Sequence, residues 1–179
     1  MLPIIGSHQQ TYREVSLRES LSWGAILKTL IICKSIHHEN TLRVAEVMAS
    51  ELDANIVSPE AVDTSMFTHY DLIGFGSGIY MGKHHRSLLN LASKLDGISG
   101  KDVFVFYTSG FTAFPTRPSF ETALVEKLTK SGAKILDTFS CRGLETYGPF
   151  RIGGGKNKGH PDENDLNQAR LFARSLLRF

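Results

Sequence analysis

Five apolar runs, rich in β-branched and aromatic residues, punctuate this chain: Lys28 to Lys34, Asn55 to Ser58, Asp71 to Ser77, Asp102 to Thr108 and Ala133 to Cys141. They are nearly continuous and do not alternate strictly with polar residues, which predicts strands covered on both faces. Between them apolar residues recur at helical spacing. Leu42, Ala45, Met48 and Leu52 form one stripe, and Leu88, Leu91, Ala92 and Leu95 a second. Leu124, Val125 and Leu128 mark a third helix, closed by Ser131-Gly132. A last helix carries Leu166, Ala169, Ala173, Leu176 and Leu177, with Asp162 as its N-cap after Pro161. These stripes are packing surfaces and carry no chemistry. The connection from Pro59 to Tyr70 is too short for a full crossover helix and predicts one or two turns. Alternating strands and helices imply an α/β fold built on a doubly wound parallel sheet.

A chain of 179 residues fits one such domain. It is expected to span residues 28–179, while residues 1–27 lack a clear period and read as an N-terminal extension without an assigned role. The net charge of +2 is spread among interspersed acids and bases, with no basic run and no aromatic platform, so nucleic acid is not an expected partner. No apolar stretch reaches the ~18 residues of a membrane span, and Glu14 and Glu19 argue against a leader peptide. Cys33 and Cys141 lie far apart in strand-like runs, as buried free thiols of a reducing, cytoplasmic protein would.

The segment with most chemistry is Ser35-Ile36-His37-His38-Glu39-Asn40-Thr41, between the first strand and the first helix. A strand that stops at a polar loop and restarts as a helix aims several backbone N–H groups at one spot, and the helix dipole adds positive charge there. Ser35, His37, His38, Asn40 and Thr41 supply further donors, so the loop is expected to hold a phosphate. The pairs His37-His38 and His84-His85 suggest a metal, but adjacent side chains point apart and no acidic or Cys cluster joins them, so no metal site is assigned. The run Arg151 to His160 is Gly-rich yet lacks the Gly-Lys-Ser/Thr ending of a nucleotide loop. It belongs to a long connection, 142–161, that leaves the fifth strand on the same side as the phosphate loop; Tyr147, Arg151 and Lys156 are its expected contacts. A receiver domain would need acids at the ends of strands one and three, where Lys34-Ser35 and Gly76-Ser77 stand. A hydrolase elbow needs Gly-x-Ser-x-Gly, which neither Ser77 nor Ser109 satisfies.

Five strands, a phosphate loop after the first and polar Gly-containing loops after the third and fourth together resemble the flavodoxin family, over about Lys28 to Arg174. The resemblance implies a three-layer flavodoxin-like sandwich with a five-stranded parallel sheet of order 2-1-3-4-5 and FMN beyond the C-terminal strand ends; the flavodoxin site at the switch point is the general example of this arrangement. Family phosphate loops end in Gly-Asn-Thr. Here the ending is Glu39-Asn40-Thr41, the two histidines stand where hydroxyl residues are common, and the loop is one residue longer. In the family, the loop matching Ser77-Gly78-Ile79-Tyr80 lies along the flavin ring, with a glycine whose peptide turns over as the flavin is reduced; Gly78 is its counterpart and Tyr80 a ring contact. The loop matching Thr108-Ser109-Gly110-Phe111-Thr112-Ala113-Phe114 offers backbone donors at the first three residues and a stacking ring at Phe111 or Phe114.

The family resemblance thus implies an FMN-binding electron-transfer protein or flavin-dependent oxidoreductase, exchanging electrons with a redox partner protein or a small-molecule acceptor. No catalytic acid or nucleophile is needed, because the flavin carries the chemistry. Carrier flavodoxins are typically acidic, whereas this chain has a sequence pI near 8.6, which favours a different partner or substrate. The stretch Gly78 to His85 is also similar to that of flavodoxin-like protoporphyrinogen oxidases, so a protoporphyrinogen oxidase of that kind or a quinone-linked oxidoreductase is an alternative. A non-redox protein that has lost FMN is another.

Overall fold

The computed structural model describes residues 27–111, 118–151 and 154–178. The N-terminal extension up to residue 26, Phe114 and the side chain of Arg151 lie outside the described residues. Among the described residues six strands form: β1 (Thr29–Lys34), β2 (Asn55–Val57), β3 (Leu72–Tyr80), β4 (Lys83–His84), β5 (Asp102–Ser109) and β6 (Lys134–Arg142). Five run parallel in the order β2-β1-β3-β5-β6, with β4 off this path. Leaving β4 aside, this is the 2-1-3-4-5 order expected.

The third strand corrects the sequence reading. It does not stop at Ser77 but continues through Gly78, Ile79 and Tyr80, then folds back so that Ile79 pairs with His84 and Tyr80 with Lys83. Ile79 and Tyr80 are good strand formers. The turn is made by Met81 at φ 52° and Gly82 at φ 79°. Two successive left-handed residues define the type I′ turn that suits a two-residue hairpin. What reads as a loop along the chain is therefore a paired hairpin.

Among the described residues four helices flank the sheet: α1 (Asn40–Leu52), α2 (Arg86–Ala92), α3 (Thr122–Lys130) and α4 (Glu163–Leu176). The connection before β3 forms two short 3-10 turns, Pro59–Ala61 and Thr64–His69. Successive strand residues point to opposite faces, so each strand feeds two cores. Leu30, Ile32, Ile73, Phe75, Val103 and Val105 pack with Leu88, Ala92, Leu124 and Leu128 of α2 and α3. Ile31, Cys33, Leu72, Phe104 and Phe106 pack with α1 and α4 through Val44, Ala45, Met48, Leu166, Ala169 and Ala173. The buried stripe of α1 runs through Thr41, Val44, Ala45, Met48 and Leu52, one position off the expected centre at Leu42. Leu177, past the end of α4, is half exposed.

Two glycines on β3 leave room for the phenylalanine rings of β5. Gly74 pairs with Phe104 and Gly76 with Phe106. A Cβ at either glycine would run into the ring of its partner. Asp162 caps α4 and forms a reciprocal capping box with Asp165. Cys33 and Cys141 are both free thiols. Burial pushes the Cys33 thiol up to about 12, so it stays protonated and inert. Among the described residues, no helix is long and apolar enough to cross a membrane.

Candidate functional site

At the C-terminal ends of β1, β3 and β5 the chain leaves a cleft of about 1250 Å³. Its first wall is the turn into α1. His38 at φ 56° and Glu39 at φ 54° are both left-handed, and the helix begins with no side-chain cap. The first intrahelical bond is from the Arg43 N–H to the Glu39 carbonyl, at 2.9 Å. The backbone N–H groups of Asn40, Thr41 and Leu42 therefore precede it, at the positive end of the helix dipole. Glycine reaches positive φ without cost, so the left-handed Glu39 gives a physical reason for the glycine usual at this position.

The side chains of this turn do two jobs. Ser35 and His37 line the cleft. His38, Asn40 and Thr41 line it too, and they also clamp neighbouring segments. Asn40 Nδ2 donates to the Leu144 carbonyl at 2.9 Å, and His38 Nε2 lies 2.8 Å from Thr146 Oγ1. Thr41 Oγ1 lies 2.8 Å from Thr108 Oγ1. Gly143 fits only because it lacks a Cβ, which would press on Asn40 Nδ2.

The hairpin makes the second wall. Gly78, Ile79, Tyr80, Met81, Gly82 and Lys83 line the cleft. Tyr80 is braced by His85, edge-on with centroids 5.4 Å apart, and by His37 at 6.1 Å. Thr108, Ser109, Gly110 and Phe111 form the third wall. Phe111 is half exposed, and Lys156 Nζ sits 4.0 Å above its ring.

Of the residues read from the sequence, Ser77 stands outside the lining. It is fully buried beneath the hairpin, where its Oγ accepts from the His85 N–H at 3.0 Å and lies 2.9 Å from His84 Nδ1. The His pair here is divided. His84 is buried, and desolvation pulls its pKa down to about 4. His85 caps α2, accepting from the Ser87 N–H at 3.2 Å.

The long connection after β6 supplies walls that the strand pattern does not assign. Gly143, Leu144, Glu145, Thr146 and Tyr147 all reach the cleft, as does Phe150. The connection is pinned where Glu145 and Lys156 exchange backbone bonds of 3.0 and 2.8 Å. Asn157 Nδ2 ties it to the carbonyls of Gly110 and Gly143 at 3.1 and 3.2 Å. Tyr147 lines the cleft as expected, whereas Lys156 acts from behind, on Phe111. The length of the connection was the signal for this wall. Phe120, Thr122, Ala123 and Glu126, at the start of α3, also line the cleft and gave no signal beyond helix packing.

The comparisons agree with this architecture. A family model for the flavodoxin domain matches residues 30–144. An uncharacterized protein of Methanocaldococcus jannaschii is 44% identical over 152 residues, covering 85% of this chain and 99% of its own. Among solved structures, flavodoxin 2 of Bacillus cereus superposes with a TM-score of 0.64 at 22% identity, over 84% of this chain and 98% of that one. The rubredoxin oxygen:oxidoreductase of Desulfovibrio gigas gives 0.61 at 16% identity, over 94% of this chain and 40% of that larger one. The solved structures bear on the fold, and the family match covers both the uncapped turn into α1 and the hairpin wall: this chain belongs to the flavodoxin family.

Proposed function

We propose that the cleft binds FMN and that the protein transfers electrons between the flavin and a redox partner protein or small-molecule acceptor. The observation that carries this reading is the uncapped start of α1 inside a cleft whose other walls bear Tyr80 and Phe111. The residues fit the group. The N–H groups at the start of α1, with Ser35 and His37, suit a dianionic phosphate. Aromatic side chains suit a flat ring, and the backbone of Thr108, Ser109 and Gly110 suits its polar edge. Charge-assisted hydrogen bonds contribute roughly 1.5–3 kcal/mol each, so a few of them with ring burial reach about −12 kcal/mol, or nanomolar affinity. When bound, the flavin supplies the redox chemistry, and the protein supplies position and electrostatics. The two free thiols suit a reducing, cytoplasmic setting.

A second reading, an oxidoreductase acting on a small flat substrate such as a quinone, is favoured by the reach of the cleft. It extends past the phosphate turn and ring walls to Phe120, Ala123 and Glu126 of the α2/α3 layer. Single-ligand sites usually enclose ~300–1,000 Å³, so this one has room for a second molecule beside the cofactor.

Absorption and fluorescence titration of the purified chain with FMN tests the main reading. Binding should quench the flavin and perturb its visible bands. A chain that stays colourless after FMN is added supports the non-redox alternative, and steady-state turnover with a quinone separates enzyme from carrier.

A further inference from the structure

Phe111 lines the cleft, and a cation sits on its ring. Lys156 Nζ is 4.0 Å from the Phe111 centroid and 6.0 Å from that of Phe150. Lys156 itself is not part of the lining, so the ammonium and the cleft lie on different sides of the ring. The placement is built in. The Lys156 backbone exchanges two hydrogen bonds with Glu145. The next residue, Asn157, donates to the carbonyl of Gly110, immediately before Phe111, and to that of Gly143. Phe150 meets Phe111 at 5.7 Å, with ring planes 62° apart, and steadies it from the side. Among the described residues no carboxylate forms an ion pair with Lys156.

We propose that Lys156 is a positioning residue of the cleft: its charge, seated on the back of Phe111, favours a reduced flavin whose ring is anionic over one whose ring is neutral. The inference rests on the FMN reading, with Phe111 against the flavin ring. A cation is attracted to an aromatic face, and the same charge acts on whatever stacks on the opposite face. Stacked atoms sit roughly 3.5–4 Å apart. The ammonium is then about 8 Å from the flavin plane, within about one Debye length. Oxidised FMN has a neutral ring. Two electrons from the redox partner and two protons from solvent leave it neutral, whereas two electrons and one proton leave one negative charge on it. Lys156 therefore stabilises only the one-proton product. A unit charge at this distance, in a partly solvated site, is worth about tenfold. The FMN phosphate feels Lys156 equally in every state, so that part cancels. Among the described residues the other charged or titratable groups facing the ring site are His37, His38, Tyr80, Lys83, Glu126 and Glu145. Glu145 acts in the opposite sense: a Cβ at Gly110 would lie 3.1 Å from its Oε2, and its charge reaches Tyr80. All of these groups stay in place when Lys156 alone is changed, so the difference isolates the ammonium.

The test is the two-electron midpoint potential of the FMN-loaded chain as a function of pH, in the unaltered protein, Lys156→Met, Lys156→Arg and Glu145→Gln. The potential falls as pH rises, and its slope halves where the reduced ring gives up its second proton. In Lys156→Met that break should move up by about one pH unit, the equivalent of tenfold. Above the break the potential should drop by about 30 mV, the value of tenfold for a two-electron couple. Below the break the two curves should coincide. Lys156→Arg keeps the charge and should keep the original curve, and Glu145→Gln should move the break and the upper limb the other way. A packing defect would displace both limbs alike. A Lys156→Met curve that matches the unaltered protein, or that is displaced equally on both limbs, overturns the proposal. NMR of the unaltered, ligand-free chain decides the matter even if a variant fails to fold. The ε-methylene protons of Lys156 should be shifted upfield by the Phe111 ring current, and unshifted protons overturn the proposal as well. Flavin fluorescence reports separately whether FMN binds. A chain that binds none overturns the FMN reading and this proposal with it, whereas a bound flavin with an unmoved curve overturns the proposal alone.

Discussion

Thr41 Oγ1 and Thr108 Oγ1 meet at 2.8 Å across the floor of the cleft, both almost fully buried. The contact joins the first turn of α1 to the end of β5, so the turn into α1 and the third wall are held as one unit. A buried hydroxyl left without its partner costs about 1–3 kcal/mol, whereas replacing both partners by apolar groups of the same shape is far milder. Thr41→Val and Thr108→Val should each lose about that much stability in urea denaturation, and the double variant should lose clearly less than the sum. Additive losses would mean that the hydroxyls do not depend on each other.

Glu39 is a left-handed non-glycine residue, at φ 54°, immediately before the uncapped helix. That conformation costs an L-residue with a Cβ roughly 1–2 kcal/mol, partly offset by the greater unfolded-state freedom of glycine. Glu39→Gly should therefore stabilise the fold by up to about 1 kcal/mol in thermal melts. It also removes a carboxylate from the N-cap position of α1; under the proposed phosphate role of that turn, FMN should bind more tightly. Weaker FMN binding by Glu39→Gly would show that the glutamate assists the ligand.

In the central sheet, glycines of β3 face phenylalanines of β5. A Cβ at Gly76 meets the buried Phe106 ring, and overpacking of this kind typically costs about 1–3 kcal/mol. Gly76→Ala should show that loss in chemical denaturation, and a second change, Phe106→Leu, should recover part of it. If Phe106→Leu makes Gly76→Ala worse, the ring is not the obstacle.

Much of this was legible along the chain. The five parallel strands followed from apolar runs and the polar turn after β1 from one heptapeptide, while the strand order came from the family resemblance. The hairpin was not, because Ile79 and Tyr80 sit between a glycine and a Met-Gly pair, a pattern that reads equally as loop; only the pairing with β4 makes it a strand. Ser77 was misplaced for a related reason. Strand continuation turns it inward, onto His84, while its neighbour Gly78 stays on the cleft. Phe120 and Ala123 were invisible because residues that line a cleft from a helix start look like any other packing residues. The clamping roles of Asn40 and His38 depend on a loop more than 100 residues away, and local pattern holds no trace of that.

Stability should fall in mild acid because of His84. Its pKa is about 4 in the folded chain against 6.5 when unfolded. The unfolded state therefore binds the proton first, and stability is lost as pH drops from 6.5 toward 4, by ~3 kcal/mol at the low end. His84→Leu should flatten this part of the stability curve. An unchanged slope between those pH values would assign the acid sensitivity to other groups.

The most direct measurement is the affinity of the purified chain for FMN and for riboflavin, compared under one set of conditions. The two ligands share the ring and differ by the phosphate. If the start of α1 holds that phosphate through at least two charge-assisted bonds, FMN binds tighter by about 100-fold or more. Equal affinities would remove the phosphate from that turn, and absence of binding by either flavin would remove the flavin from the cleft.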